Sequence, residues 1–347
     1  MVRFSKATLI SLVLLTGSCV IPYEIPLPTN TKYLVVEATI TDIDVAQTVR
    51  INETNNFKDN IYNSPVTGLQ VEIIINKSET INLTEQQPGV YALPFSFRTV
   101  PGSTYQLRFR KSDGTTYESS EEKTTKAPPI DKVFDEFEVA GLEGIYNNDI
   151  PANYVFLNFK DNPATTDYYV WTWKLWENQT ICRTDYYDYY CNAKCWEIIP
   201  NKDFNVLSDV YSNGKEITGK MIAKIPLYSF DGALIEIRQN AVPEKAFKYF
   251  KLVSDQQQNN GTLVDTPPAA IIGNIKNLSN PSEPVTGIFA VASTVVNKYW
   301  LNRENGYGKG IPIGLLGRKP FLSTLPVTYP CTAGPTRTPQ KPDGWVD

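Results

Sequence analysis

YLVVEATITD, residues 33–42, is a run of apolar and β-branched residues that stops at Thr41-Asp42. That composition with a polar stop is the signature of a β-strand entering a turn. The same signature recurs along the next eighty residues, in TVRIN (48–52), LQVEIII (69–75), GVYALPFSF (89–97), TYQLRFRKSDG (104–114) and TTYESSEE (115–122). Turn residues separate these runs at Pro65-Val66-Thr67-Gly68, Gln87-Pro88-Gly89, Val100-Pro101-Gly102 and Ser112-Asp113-Gly114. Short strands at such regular spacing predict an antiparallel sandwich over residues 33–127.

The stretch TTKAPPID (124–131) carries Pro128-Pro129 and marks a boundary, after which a second β-rich domain is expected over 128–347. NYVFLNFKD (153–161) and DYYVWTWKLWE (167–177) are long strand patterns, and the second sets Tyr169, Trp171 and Trp173 on one face against Val170 and Thr172 on the other. GALIEIRQNA (232–241) is a further strand. The period then changes in VPEKAFKYFKLVSDQQQNNG (242–261), where Phe247, Phe250 and Ser254 share one helical face between Pro243 and Gly261. This is the one clear helix in an all-β chain. VTGIFAVASTVVNKYWL (285–301) returns to strand composition, and the last thirty residues, rich in Pro, Gly and Thr, are expected to be irregular.

The amino terminus reads differently. Arg3 and Lys6 precede ATLISLVLL (7–15), a run far shorter than the roughly twenty residues needed to cross a bilayer. A cationic head, a short apolar middle and the small residues Thr16-Gly17-Ser18 form a secretory signal over residues 1–18. Cys19 follows at once, as in a bacterial lipoprotein signal. The match to a Leu-x-small-Cys lipobox is imperfect, because Thr16 occupies the usual leucine position and Leu15 stands one place earlier. Cys19 is therefore expected to become the lipidated first residue, with residues 19–32 (three prolines in VIPYEIPLPTNTK) as an extended leash.

Composition narrows the chemistry. Removing residues 1–18 takes Arg3 and Lys6 away, so the net charge moves from −4 to −6, which argues against a nucleic-acid partner. The chain contains 0 histidines, which excludes histidine-activated nucleophiles and histidine metal sites. Carboxylate-pair hydrolysis needs no histidine, yet no pair of acids stands out. Asp42 and Asp44 in TDID, and Asn147, Asn148 and Asp149 in NNDI, could offer oxygen ligands to calcium, but neither stretch matches an EF-hand loop and turn formation explains both. No cofactor is expected apart from the covalent lipid on Cys19. The other four cysteines, Cys182, Cys191, Cys195 and Cys331, suit two disulfides in an exported protein, one local and one tying the tail back. The aromatic loop DYYDYYCNAKCW (185–196) either packs under that tail or offers ring faces to a sugar.

Taken in order, YLVVEATITD, TVRI, PVTGLQVEI, QPGVYAL, VPGSTYQLRFRKSDGTTYES, AFKYFKLVSDQQQNNGTLVDTPPAAIIGNI and VTGIFAVAS resemble the Bacteroidota outer-membrane lipoprotein family called domain of unknown function four-two-four-nine. The resemblance implies an immunoglobulin-like first domain, a β-rich second domain, and residence beside TonB-dependent receptors at the outer membrane. Surface-exposed lipoproteins of that phylum often carry an acidic cluster after the lipidated cysteine, whereas CVIPYE supplies only Glu24. The expected function is a non-enzymatic accessory that docks on an outer-membrane barrel. The alternative is a module that captures a glycan or peptide for import.

Overall fold

The computed structural model describes residues 32–57, 60–144, 149–178, 181–183, 188–190, 194–258, 271, 273–311 and 331–347. The described chain is all-β with a single α-helix, as its sequence pattern requires.

Leu34–Thr41 alternates Leu34, Val36, Ala38 and Ile40 inward with Glu37 and Thr39 outward, so one face seals a core and the other stays available. Its neighbours are Thr48–Phe57, antiparallel, and Val285–Leu301, parallel. Facing this sheet is a second one built on Gln70–Ile75, Thr104–Arg110 and Thr116–Ser119, with Ile275–Asn277 added from late in the chain. Ile40, Ile51, Ile73, Leu107, Phe109 and Phe289 fill the space between the two sheets. The anticipated turn at Gln87-Pro88-Gly89 is present, and Gly89 holds a φ of +71° that a side chain would strain. GVYALPFSF forms a strand only over Val90–Ala92; Pro94 has no N–H to give a ladder, and the chain turns there instead.

A second layered unit follows. Tyr168–Asn178, Ala233–Ala241 and the far half of Val285–Leu301 form one layer, and Ile130–Glu143, Asp149–Lys160 and Glu216–Pro226 form the layer opposite. Tyr169, Trp171 and Leu175 point into this core beside Phe159 and Ile237, while Val170 faces the other way, toward the helix. Helix Glu244–Gln257 covers that outer face with Ala246, Phe250 and Ser254 buried, and Phe247 packs on Tyr168.

Val285–Leu301 joins the two units. Residues 285–292 pair with Leu34–Thr41, and residues 293–301 pair with Ala233–Ala241 on the opposite edge. Phe289 and Val291 enter the first core, Val295 and Tyr299 pack on the second, and Ile288, Ala290 and Ala292 lie under the helix. The boundary at Pro128-Pro129 is where the chain leaves the first sandwich, and the segments 275–277 and 285–292 later return to it. No described helix is long and apolar enough to cross a membrane.

Candidate binding surfaces

Two surfaces gather side chains suited to recognition. The first is a groove of about 660 Å³ beside the helix, on the outward face of Leu34–Thr41. Phe204 and Phe250 pack at a tilt in its wall with ring centroids 4.7 Å apart, and Tyr249, Val170 and Ile288 line it with them. Burial pushes the Tyr249 hydroxyl above its ordinary pKa, and the charge of Glu37 adds to this. The rim is polar and of mixed charge. Glu37 faces Arg50 at 3.9 Å, and Arg238 is held by Glu236 at 2.8 Å. Among the lining residues Glu37 is the single carboxylate, so the groove offers no acid pair for glycoside chemistry. An apolar, ring-lined floor with a few oriented polar groups suits a short peptide or a sugar.

The second surface lies at the end of Val285–Leu301. Tyr307, 74 % exposed, packs at a tilt on Phe230 with ring centroids 5.1 Å apart, and Ile311 is 80 % exposed nearby in the chain. The loop carrying Tyr307 is pinned from below. Arg303, wholly buried, donates to both carboxylate oxygens of buried Glu177 and to the carbonyls of Ser229 at 3.1 Å and Asp231 at 3.3 Å. An exposed aromatic pair on a rigid mount is the kind of anchor that interfaces use.

The residues singled out in the sequence fall as follows. Cys195 and Cys331 form a disulfide across 136 residues, with Cα atoms 5.5 Å apart. Around it Arg337–Thr338 pairs with Trp196–Pro200, and Trp345 packs edge-on against Trp300 at 4.9 Å and Trp196 at 5.9 Å. The tail expected to be irregular is therefore strapped to the second unit, and Trp196 of the aromatic loop is buried beneath it. Cys19, Cys191, Asn147 and Asn148 and the side chain of Cys182 lie outside the described residues. Asp149 opens the strand Asp149–Lys160 opposite Glu143.

Asp42 and Asp44 serve the turn. Asp44 pairs with Arg98. Asp42 accepts from Lys126 Nζ at 2.8 Å, Ser293 Oγ at 2.8 Å and the Thr294 N–H at 2.7 Å, which ties the first strand to the linker and to the middle of Val285–Leu301. Burial acts to raise the Asp42 pKa, but these three donors outweigh it and hold the carboxyl below its ordinary value. The groove residues, drawn from six separate stretches between Glu37 and Thr294, are not legible as a group without the fold.

Comparison with known families supplies one match. The family model described as Domain of unknown function (DUF4249) covers residues 20–298. The chain belongs to the DUF4249 family. Searches of curated proteins and of solved structures returned no match. Membership places the Cys195–Cys331 strap partly beyond the family region, since Cys331 lies after residue 298.

Proposed function

We propose that this DUF4249 chain is a non-enzymatic lipoprotein of the outer membrane, anchored by lipid on Cys19, that docks on an outer-membrane barrel as accessory to a TonB-dependent transporter. The observation that carries the reading is the separation between the anchor end and the aromatic end. Leu34, where the leash joins the sandwich, sits opposite Val285. Tyr307 lies just beyond Leu301. The strand between them has 17 residues and spans roughly 50 Å at about 3.3 Å per residue. The 13 residues from Val20 to Lys32 add up to about 45 Å of reach. With the Leu34 end toward the membrane, such a body carries Tyr307 and Phe230 at the end remote from the anchor, where the loops of a barrel would be met.

The test is a gentle detergent extraction of membranes followed by capture of this protein. The expected result is a co-purifying barrel in equal amount, reduced at least tenfold by Tyr307→Ala with Phe230→Ala while the fold is retained. A wild-type protein that is recovered alone would sink the docking reading. Cys19→Ala should release the mature chain into the soluble fraction, and membrane retention in cells lacking the barrel would refute the anchor.

The groove favours a second reading, capture of a peptide or glycan for import. It predicts saturable binding on a peptide or glycan array that Arg238→Ala or Tyr249→Ala abolishes, and an array without any signal removes it.

A further inference from the structure

Three acids that neither surface uses are buried together. Asp161 follows the strand Asp149–Lys160, Asp167 precedes Tyr168–Asn178, and Asp209 follows Asn205–Ser208. Each is at most 2 % exposed, and one oxygen from each lies within 4.8 Å of the others. Their donors are all neutral. Asp161 accepts from Tyr169 Oη at 2.5 Å and the Gly214 N–H at 2.7 Å. Asp167 accepts from Thr125 Oγ1 at 2.5 Å and Thr165 Oγ1 at 2.8 Å, and Asp209 Oδ2 accepts from the Asp167 N–H at 2.8 Å. Among the described residues no lysine or arginine forms an ion pair with any of the three.

An independent feature points to what is missing. Asp209 Oδ1 is buried and has no hydrogen-bond partner among the described residues, although its side chain is packed beside the other two acids. A buried carboxylate oxygen without a partner is costly, and three buried carboxylates without a cation are more so.

We propose that Asp161, Asp167 and Asp209 form a binding site for one divalent cation of the calcium class. Calcium accepts carboxylate oxygens at 2.3–2.6 Å, so ligands on opposite sides of the ion are separated by roughly 5 Å, which suits the spread of these atoms. The free Asp209 Oδ1 becomes a ligand. Bound there, the ion links the turn 161–167 to the loop 209–214 and, through Asp167, to Thr125 of the linker between the two units.

The competing account is that Asp161 and Asp209 share a proton. The full mature protein, stripped with EDTA, separates the two. With calcium bound, 1 mM CaCl2 should raise the melting temperature at pH 7.5 by roughly 5 °C or more. Terbium should give saturable emission, one ion per chain, excited through Tyr169 and Trp171 and displaced by calcium. Asp209→Asn should remove both responses, and if that variant does not fold, the terbium stoichiometry of the wild type decides. A melting temperature indifferent to EDTA and calcium, but rising on acidification to pH 5, would establish the shared proton and overturn the proposal. An equal response to magnesium would overturn the assignment to calcium.

Discussion

Asp42 illustrates how far one residue can be read from sequence. Its place after an apolar run marks a turn, and its carboxylate offers an oxygen ligand, but its actual donors come from residues 126, 293 and 294. Nothing local announces them. Replacing Asp42 with Ala leaves the Thr294 N–H and Ser293 hydroxyl without their acceptor at a buried junction, so about 2–4 kcal/mol of stability should be lost in urea unfolding. The pH dependence follows from the lowered pKa. Its contribution is fully present above the ordinary value of 3.8 and is lost as pH falls through the lower native value. Asp42→Asn should therefore flatten the acid limb of the stability curve below about pH 4, and an unchanged limb would show that Asp42 is not responsible. Gly287 carries a different constraint. Its φ is +90°, and an added Cβ would meet the Val36 carbonyl oxygen at 2.0 Å. Gly287→Ala should cost about 2–4 kcal/mol, combining backbone strain with overpacking, as read from the shift in urea midpoint.

At the scale of elements, legibility tracks burial. Leu34–Thr41, Gln70–Ile75, Thr104–Arg110 and Tyr168–Asn178 show their pattern because at least one face of each is sealed by a core. Ile130–Glu143 escaped notice because both its faces are largely half-buried or exposed, so IDKVFDEFEVAGLE mixes charge with apolar residues. Glu216–Pro226 was missed for a related reason, since its ladder with Asp149–Lys160 contains two register shifts. The short 3-10 turn Arg303–Gly306 is held by the buried Arg303–Glu177 pair, which links it to the end of Tyr168–Asn178. Sequence gives no sign of this pair, because 126 residues separate its members. Arg303→Met strands Glu177 as an unpaired buried charge and should cost about 3–5 kcal/mol, whereas the double change with Glu177→Leu should recover most of that loss. A double-mutant cycle by chemical denaturation measures both, and equal losses in single and double variants would contradict the pairing argument.

At the scale of the molecule, the deciding feature is a strand that no local pattern could place. VTGIFAVASTVVNKYWL is legible as a strand, but its division between two partners on opposite edges is not, since Leu34–Thr41 lies 251 positions upstream of the residues it pairs with and Ala233–Ala241 lies 52 to 68 positions upstream of its own. Because Phe289 and Val291 serve one core while Val295 and Tyr299 serve the other, neither sandwich can lose this strand without exposing the interior of its neighbour. Asp42, Thr99, Thr124 and Ala127 add hydrogen bonds across the same crossing, to Ser293, Ala292, Ala241 and Ser293 respectively. The two units should consequently unfold in one cooperative transition, despite the two-domain pattern of the sequence. Phe289→Ala, a cavity in the first core, should cost about 3–5 kcal/mol and lower the protection of amides in Ala233–Ala241 as much as those in Leu34–Thr41. Hydrogen exchange read by mass spectrometry distinguishes the outcomes: loss confined to Leu34–Thr41 and its neighbours would mean that the shared strand joins the sandwiches mechanically without coupling their stability.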